Sequence, residues 1–249
     1  MKIVVATHNE GKLVEIRNIL NEQLSAAAQG IELVSAGSLD LADPAETGVT
    51  FEENALLKAR FVAGTTGLPA IADDSGLIVD VMGNAPGILS ARWSGTHGDD
   101  EANNRLLLAQ IEDIPDDDRT ARFRCAAALV VPVESDGDGL GEFHETVALG
   151  EMPGTILCHP HGMNGFGYDP IFMPDEQPQS AQDSGELLTS AQMTPEQKNA
   201  ISHRGKALRA LVPAVKHRLE GIHAAELLGN VHIIGNIVAA VNSGRGVER

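Results

Sequence analysis

The chain has 249 residues, enough for one large α/β domain or two small ones around a real core. Aromatics make up 3%, so that core rests on Val, Ile, Leu and Ala. A formal net charge of −17 repels the phosphates of DNA, RNA and anionic lipid, which disfavours a polymer-binding role, although a few local cations can still hold a small anionic ligand.

In chain order, Lys2–Ala6 reads as a first strand, too short in apolar length for a signal peptide. Thr7–Gly11 is a polar loop before a helix near Lys12–Gln23, whose Leu13, Ile16, Ile19 and Leu20 form a helical stripe. A second strand covers Ile31–Ser35. Thr50-Phe51-Glu52-Glu53 resembles a capping box before a helix through about Val62. Two apolar segments, Leu68–Ala72 and Leu77–Val81, flank Asp73-Asp74-Ser75-Gly76, which reads as a turn at a strand end. A helix follows Asp99. Arg122–Val133 and Glu142–Leu149 read as strands joined by an acidic turn, Glu134–Gly139. Asp113–Arg119 and Pro174–Glu186 read as solvated loops. Thr194-Pro195-Glu196-Gln197 has a cap, a first-position Pro and a box-closing Gln. The last helix runs from about Ser202 toward Leu219, with Pro213 expected to bend or interrupt it. The order of elements is that of an α/β protein. A boundary near Glu220-Gly221 separates a domain over 1–220 from an extension over 221–249, whose Leu227–Val241 run is too short and too broken for a membrane span. Cys125 and Cys158 lie in or beside apolar runs and are expected as buried free thiols in a reducing cytosol.

Five segments carry candidate chemistry, and each also has a plain structural reading. Adjacent carboxylates at Asp73 and Asp74 suit Mg²⁺, which brings phosphate oxygens into its own shell; a polar turn is the alternative. Thr7-His8-Asn9-Glu10-Gly11-Lys12 opens a helix, where backbone N–H groups and Lys12 favour an anion; it also reads as an ordinary loop with a surface lysine. Glu46 is a second candidate metal carboxylate, and Glu53 divides between metal and cap. Asn54 and Lys58 share a helix face, with Lys58 read toward water. Gly165-Phe166-Gly167-Tyr168-Asp169-Pro170 offers close backbone approach, an aromatic face for a purine and an acceptor at Asp169, or a packed loop. Lys198, His203 and Arg204 bracket a helix start as donors for a carbonyl or phosphate, or as a solvated basic face.

Together these segments resemble the inosine triphosphate pyrophosphatase family, over Lys2 to about Leu211. Thr7–Lys12, Glu46–Ala55, Ile71–Gly95, Gly165–Phe172 and Lys198–Lys206 stand in the family's order, with Asp73-Asp74-Ser75-Gly76-Leu77 and Ser202-His203-Arg204 the most diagnostic. The resemblance implies a long, twisted mixed sheet flanked by helices, with two lobes and a deep cleft. It also implies a cytoplasmic homodimer that uses Mg²⁺ to hydrolyse non-standard purine nucleoside triphosphates (ITP, dITP, XTP) to monophosphate and pyrophosphate. By position it makes Asp74 proton acceptor and metal ligand, Glu46 the other metal ligand, Thr7–Lys12 the triphosphate loop and Ser75 a substrate contact. Phe166, Gly167, Tyr168, Asp169, Lys198, His203 and Arg204 become the base-holding set, and Arg92 approaches the phosphates. Trp93 departs from the Tyr common in bacterial members. His159 and His161 lack a cysteine or carboxylate at ligand spacing and are weak evidence for zinc. The nearest rival, a Maf-type pyrophosphatase, calls for a Ser-Pro-Arg-Arg-like first loop that this chain lacks; a non-catalytic nucleotide sensor is a second alternative.

Overall fold

A computed structural model describes residues 1–24, 30–133 and 142–218. The acidic turn expected at Glu134–Gly139 and the extension over 221–249 lie outside the described residues. Six strands form one mixed sheet in the order β2-β1-β3-β4-β5-β6. These are β1 (Lys2–Val5), β2 (Glu32–Ser35), β3 (Ala70–Val79), β4 (Thr120–Pro132), β5 (Phe143–Ile156) and β6 (Phe172–Pro174). β1 runs parallel to β2 and β3, while β3 through β6 pair antiparallel. The helices are α1 (Glu10–Leu24), α2 (Phe51–Thr66), α3 (Asp100–Gln110), α4 (Gln179–Ser184), α5 (Pro195–Ile201) and α6, over 203–218.

Strand alternation divides the core. Ile3, Val5, Ile71, Cys125 and Ala127 point to one face of the sheet, where the buried stripes of α1 and α6 cover them. Val4, Ala70, Ala72, Ala126 and Ala128 point to the other face, against Ala55, Ala59, Val62 and Ala63 of α2. Farther along β3 and β4, Leu77, Val79 and Phe123 join Leu107 of α3 and Ile111 just after it in a third cluster. The small residues of β4 let helices pack closely on both faces at the middle of β3, where the acidic pair lies.

Helix starts follow the sequence closely. Thr50 accepts from the Glu53 amide, Asp99 from Ala102, and Thr194 forms a full capping box with Gln197.

Several expectations are corrected. Asp73–Gly76 is not a turn: β3 pairs with β4 without a break from Ala70↔Val130 to Val79↔Ala121. Ten paired positions outweigh the local turn preference, and long-range cations neutralise the carboxylates. Gly76 serves close approach instead, because a Cβ there would stand 2.5 Å from the Gly87 carbonyl oxygen and 2.6 Å from Ser90 Oγ. Pro213 does not interrupt α6. It lies on the exposed side and forgoes one backbone bond, while its neighbours Leu211, Val212 and Val215 are buried in the core. Cys158 is exposed, although Cys125 is buried as expected, and both are free. Neither acidic segment is wholly solvated. Arg119 is buried and donates to the carbonyls of Ile114 and Glu112. Buried Gln177 ties Pro174 to Leu188. Among the described residues no helix is long and apolar enough to cross a membrane.

Candidate active site

Two cavities adjoin above the middle of β3. An inner pocket of about 300 Å³ is lined by Asp74, Ser75, Phe166, Gly167, Tyr168, Asp169, Lys198, His203 and Arg204. An open groove of about 1100 Å³ is lined by all six residues from Thr7 to Lys12, together with Arg92. Lys12, Glu46, Lys58, Asp73 and His97 line both, so they mark the junction. Every residue to which the family resemblance gives a site role therefore lines one cavity or the other, whereas Glu53, His159 and His161 line neither.

At the junction the two aspartates face opposite ways, as successive strand residues must. Asp73 points toward α1 and α6. It accepts from Lys12 Nζ at 3.3 Å and from Arg204 Nε at 3.0 Å, and Arg204 NH1 reaches Glu15 at 3.4 Å. Burial alone would raise the Asp73 pKa; the Lys12 and Arg204 cations outweigh it and hold the carboxyl well below the usual range. Arg204 is buried too, yet Asp73 and Glu15 keep it firmly protonated.

Asp74 points toward α2. Its Oδ1 accepts from Lys58 Nζ at 3.0 Å and its Oδ2 from Asn54 Nδ2 at 3.3 Å. Lys58 also donates to Glu46 Oε1 at 2.8 Å. Burial raises the Asp74 pKa, Lys58 opposes it, Glu46 adds to it, and the net shift is upward. Burial would lower the Lys58 pKa, but Asp74 and Glu46 raise it above its ordinary value. Asn54, fully buried, accepts the Gly48 amide on Oδ1 while donating to Asp74. It thereby fixes the Glu46 loop relative to Asp74.

The first loop is arranged by its own side chains. Asn9 Oδ1 accepts from the amides of Gly11 at 2.8 Å and Lys12 at 3.3 Å, so Asn9 caps α1. Thr7 Oγ1 accepts from the Asn9 amide. His8 sets its ring against the Leu41 carbonyl and Asp43, and Glu10 accepts from Ser35. Two loop amides are thus already engaged by Asn9, which leaves the side-chain cations of the groove, Lys12, Lys58 and Arg92, as its positive charge.

In the inner pocket Phe166 is 65% exposed, while Tyr168 is buried in the core with its hydroxyl donating to the Ser90 carbonyl. Phe166, not Tyr168, is the free aromatic face. Lys198 Nζ stands 5.1 Å from the Phe166 ring centre and forms a salt bridge with buried Asp169, which also accepts the Phe166 amide. His203 stacks on Phe123 at 5.0 Å, and its Nδ1 is buried without a hydrogen-bond partner. Burial, then Arg204 and Lys198, push its pKa well below the ordinary value, so the ring is neutral at pH 7.

Sequence reasoning read Lys58 toward water; it lies instead between the site carboxylates. It gave no role to Asn54, Glu15, Asp100 or Asn104. The last two fix the Gly167 backbone from α3, through the amide at 2.6 Å and the carbonyl at 2.9 Å. None carried a local signal, since each role depends on a partner distant in sequence. Glu53 resolves as a cap residue, its carboxylate accepting the Val49 amide. Trp93 donates to Gln110 and packs at the edge of the third core cluster. Among the described residues no three His, Cys, Asp or Glu side chains cluster as a metal cage.

A sequence profile of the Ham1 family matches residues 3–214. A dITP/XTP pyrophosphatase of Bifidobacterium animalis subsp. lactis is 74% identical over 236 residues, covering 88% of this chain and 99% of the relative. One from Nocardia farcinica is 53% identical, covering 86% and 94%. Among solved structures, a nucleoside-triphosphatase/dITP/XTP pyrophosphatase of Mycobacterium abscessus shares 49% identity at a TM-score of 0.65, covering 86% of this chain and 100% of that one. A HAM1 protein of Coxiella burnetii shares 37% at a TM-score of 0.70, covering 87% and 99%. The motif segments, the mixed sheet and these matches agree: the chain belongs to the Ham1 family.

Proposed function

We propose that this chain hydrolyses non-standard purine nucleoside triphosphates, ITP, dITP and XTP, to the monophosphate and pyrophosphate. One observation carries the reading. A pocket with a free aromatic face and an anion-attracting groove meet at a junction lined by Glu46, Lys58 and Lys12, with Asp74 beside it on the pocket side in contact with Lys58. A nucleotide laid with its base in the pocket and its β- and γ-phosphates in the groove sets its α-phosphorus at that junction.

Asp74 is the proton acceptor in this reading. Its raised pKa makes it a better base than an ordinary carboxylate, and it is oriented by Asn54. Lys12, anchored by Asp73, supplies positive potential beside the triphosphate.

The donor set suits Mg²⁺. Glu46 and Asp74 both accept from the Lys58 ammonium, a closeness that supports a cation shared between them. Two carboxylates plus substrate phosphate is a usual Mg²⁺ arrangement, and a third protein ligand is not needed. Glu46 and Asp74 would hold the ion. When bound, it neutralises charge developing on the phosphates.

Base selection falls to the inner pocket. Phe166 stacks on the purine, and Lys198 donates to a 6-keto oxygen. Adenine presents an amine there and leaves the donor unpaired, a mismatch that can reach about 10⁴ in discrimination. Neutral His203 has a nitrogen without a partner at the same wall. A homodimer belongs to the same reading, and the mass of the protein in solution tests it.

A panel of nucleoside triphosphates, with and without Mg²⁺, tests the function. Pyrophosphate release from ITP, dITP and XTP that needs Mg²⁺ and is weak with ATP is expected. Orthophosphate as first product, or equal turnover of ATP, contradicts it.

A further inference from the structure

Lys58 rises from α2 into the space between two carboxylates, 2.8 Å from Glu46 and 3.0 Å from Asp74. Its side chain is 14% exposed, with Asp74 at 13% and Glu46 at 32%. Two neighbouring carboxylates so poorly hydrated repel each other and need a cation. The nearest candidate metal ligands are therefore already partly neutralised by a group of the protein itself, the one ammonium offsetting one of the two negative charges. Lys58 sits between Glu46 Oε1 and Asp74 Oδ1, so a divalent cation placed between the two carboxylates competes with the ammonium for that position.

We propose that Lys58 is a resident counter-cation. It holds Glu46 and Asp74 together in the substrate-free site and yields them when the metal-bound nucleotide arrives. This rests on the metal reading given under Proposed function.

Three features favour an exchange over a permanent ion pair. Lysine carries its charge on a flexible four-carbon stem, so the ammonium can swing while α2 stays in place. Lys58 also lines the outer groove, so a destination beside the phosphates adjoins its present position. The ligand pair does not collapse when Lys58 leaves, because Asn54 independently ties the Glu46 loop to Asp74. Lys12 makes the contrast clear: its partner Asp73 faces α1 and α6, apart from the Glu46–Asp74 pair, and is also held by Arg204, so Lys12 has no such exchange to make. The exchange would move one positive charge from the ligand carboxylates to the phosphates as substrate binds, and would disfavour metal binding without substrate.

Mn²⁺ titration of the full-length, substrate-free chain, followed by electron paramagnetic resonance, tests this directly. Lys58→Met should bind Mn²⁺ roughly tenfold tighter than wild type or better, because no ammonium competes for the carboxylates. Lys58→Arg keeps the charge and should bind no tighter than wild type. Adding Glu46→Gln to Lys58→Met should abolish the gain. In melting experiments Lys58→Met should lose stability without metal and recover it with Mg²⁺, whereas wild type should respond little. Unchanged or weaker Mn²⁺ binding by Lys58→Met overturns the proposal, as does a gain that survives Glu46→Gln. So does a Lys58→Met chain that stays unfolded in millimolar Mg²⁺. The metal reading fails separately, through wild-type turnover of ITP without divalent cation. Metal-dependent turnover with unchanged Mn²⁺ affinity in Lys58→Met sinks only the exchange.

Discussion

Asp73 and Asp74 are adjacent in sequence but occupy opposite faces of β3, and the two faces treat a carboxylate differently. On the α1/α6 face Asp73 is enclosed by Lys12 and Arg204 and is held strongly ionised. On the α2 face Asp74 shares a single lysine with Glu46, and burial leaves its pKa raised. One carboxylate is a fixed anchor for cations from two helices; the other retains affinity for a proton. Strand alternation lets two identical residues take up these separate tasks side by side.

The largest expected effect falls on the Asp74 face. Asp74→Asn should lower kcat with ITP by about a hundred- to ten-thousand-fold, the usual worth of a positioned base, while the cooperative melt is retained. Near wild-type turnover would break the division of labour. The raised pKa also fixes a sign for the chain without divalent cation: in an NMR titration Asp74 should take up its proton above the ordinary carboxylate range. A titration at or below that range in the metal-free chain contradicts the environment described.

Asp73→Asn should act on the fold instead. It leaves Arg204 buried with Glu15 as its remaining acidic partner and frees Lys12, a loss of about 3–5 kcal/mol in urea unfolding. Because the folded pKa of Asp73 is lowered, its stabilisation is fully present above the unfolded pKa of about 3.9. That contribution is lost as pH falls through the folded value. The variant should accordingly show a flatter stability profile below about pH 4. A profile like wild type would show that Asp73 is not the anchor.

Smaller effects sharpen the picture of the base side. Gly150 on β5 lets α6 approach, since a Cβ there would stand 2.2 Å from the His203 carbonyl oxygen and 2.4 Å from the Ala207 nitrogen. Gly150→Ala should shift the start of α6 at a cost of about 1–3 kcal/mol. KM for ITP should rise more than kcat falls; an unchanged KM would free His203 and Arg204 from that contact. Phe166→Ala removes the exposed ring and should raise KM roughly tenfold with little change in melting temperature, since stacking is worth about 1–3 kcal/mol per base. A large loss of stability would mean that Phe166 is packing rather than platform.

Much of this was legible in the sequence. The helical stripe of α1, the caps at Thr50 and Thr194, the helix after Asp99 and most of β4 were read correctly because their signals are local. Residues at the cavity walls were found where several types converged, as in Thr7–Lys12 and Ser202-His203-Arg204. Illegible features depended on partners far along the chain. A local turn preference misread Asp73–Gly76, which ten residues of β4 hold straight. Lys58 looked like a surface lysine until Glu46 and Asp74 were brought to it. Gly150 has no signal at all until α6 lies across it.

Cleavage site decides the central claim most directly. ITP hydrolysed in H₂¹⁸O, with products separated and weighed by mass spectrometry, reports which phosphorus water attacks. Attack at the junction beside Asp74 predicts label in inosine monophosphate and none in the pyrophosphate. Label in pyrophosphate or in released orthophosphate would contradict it.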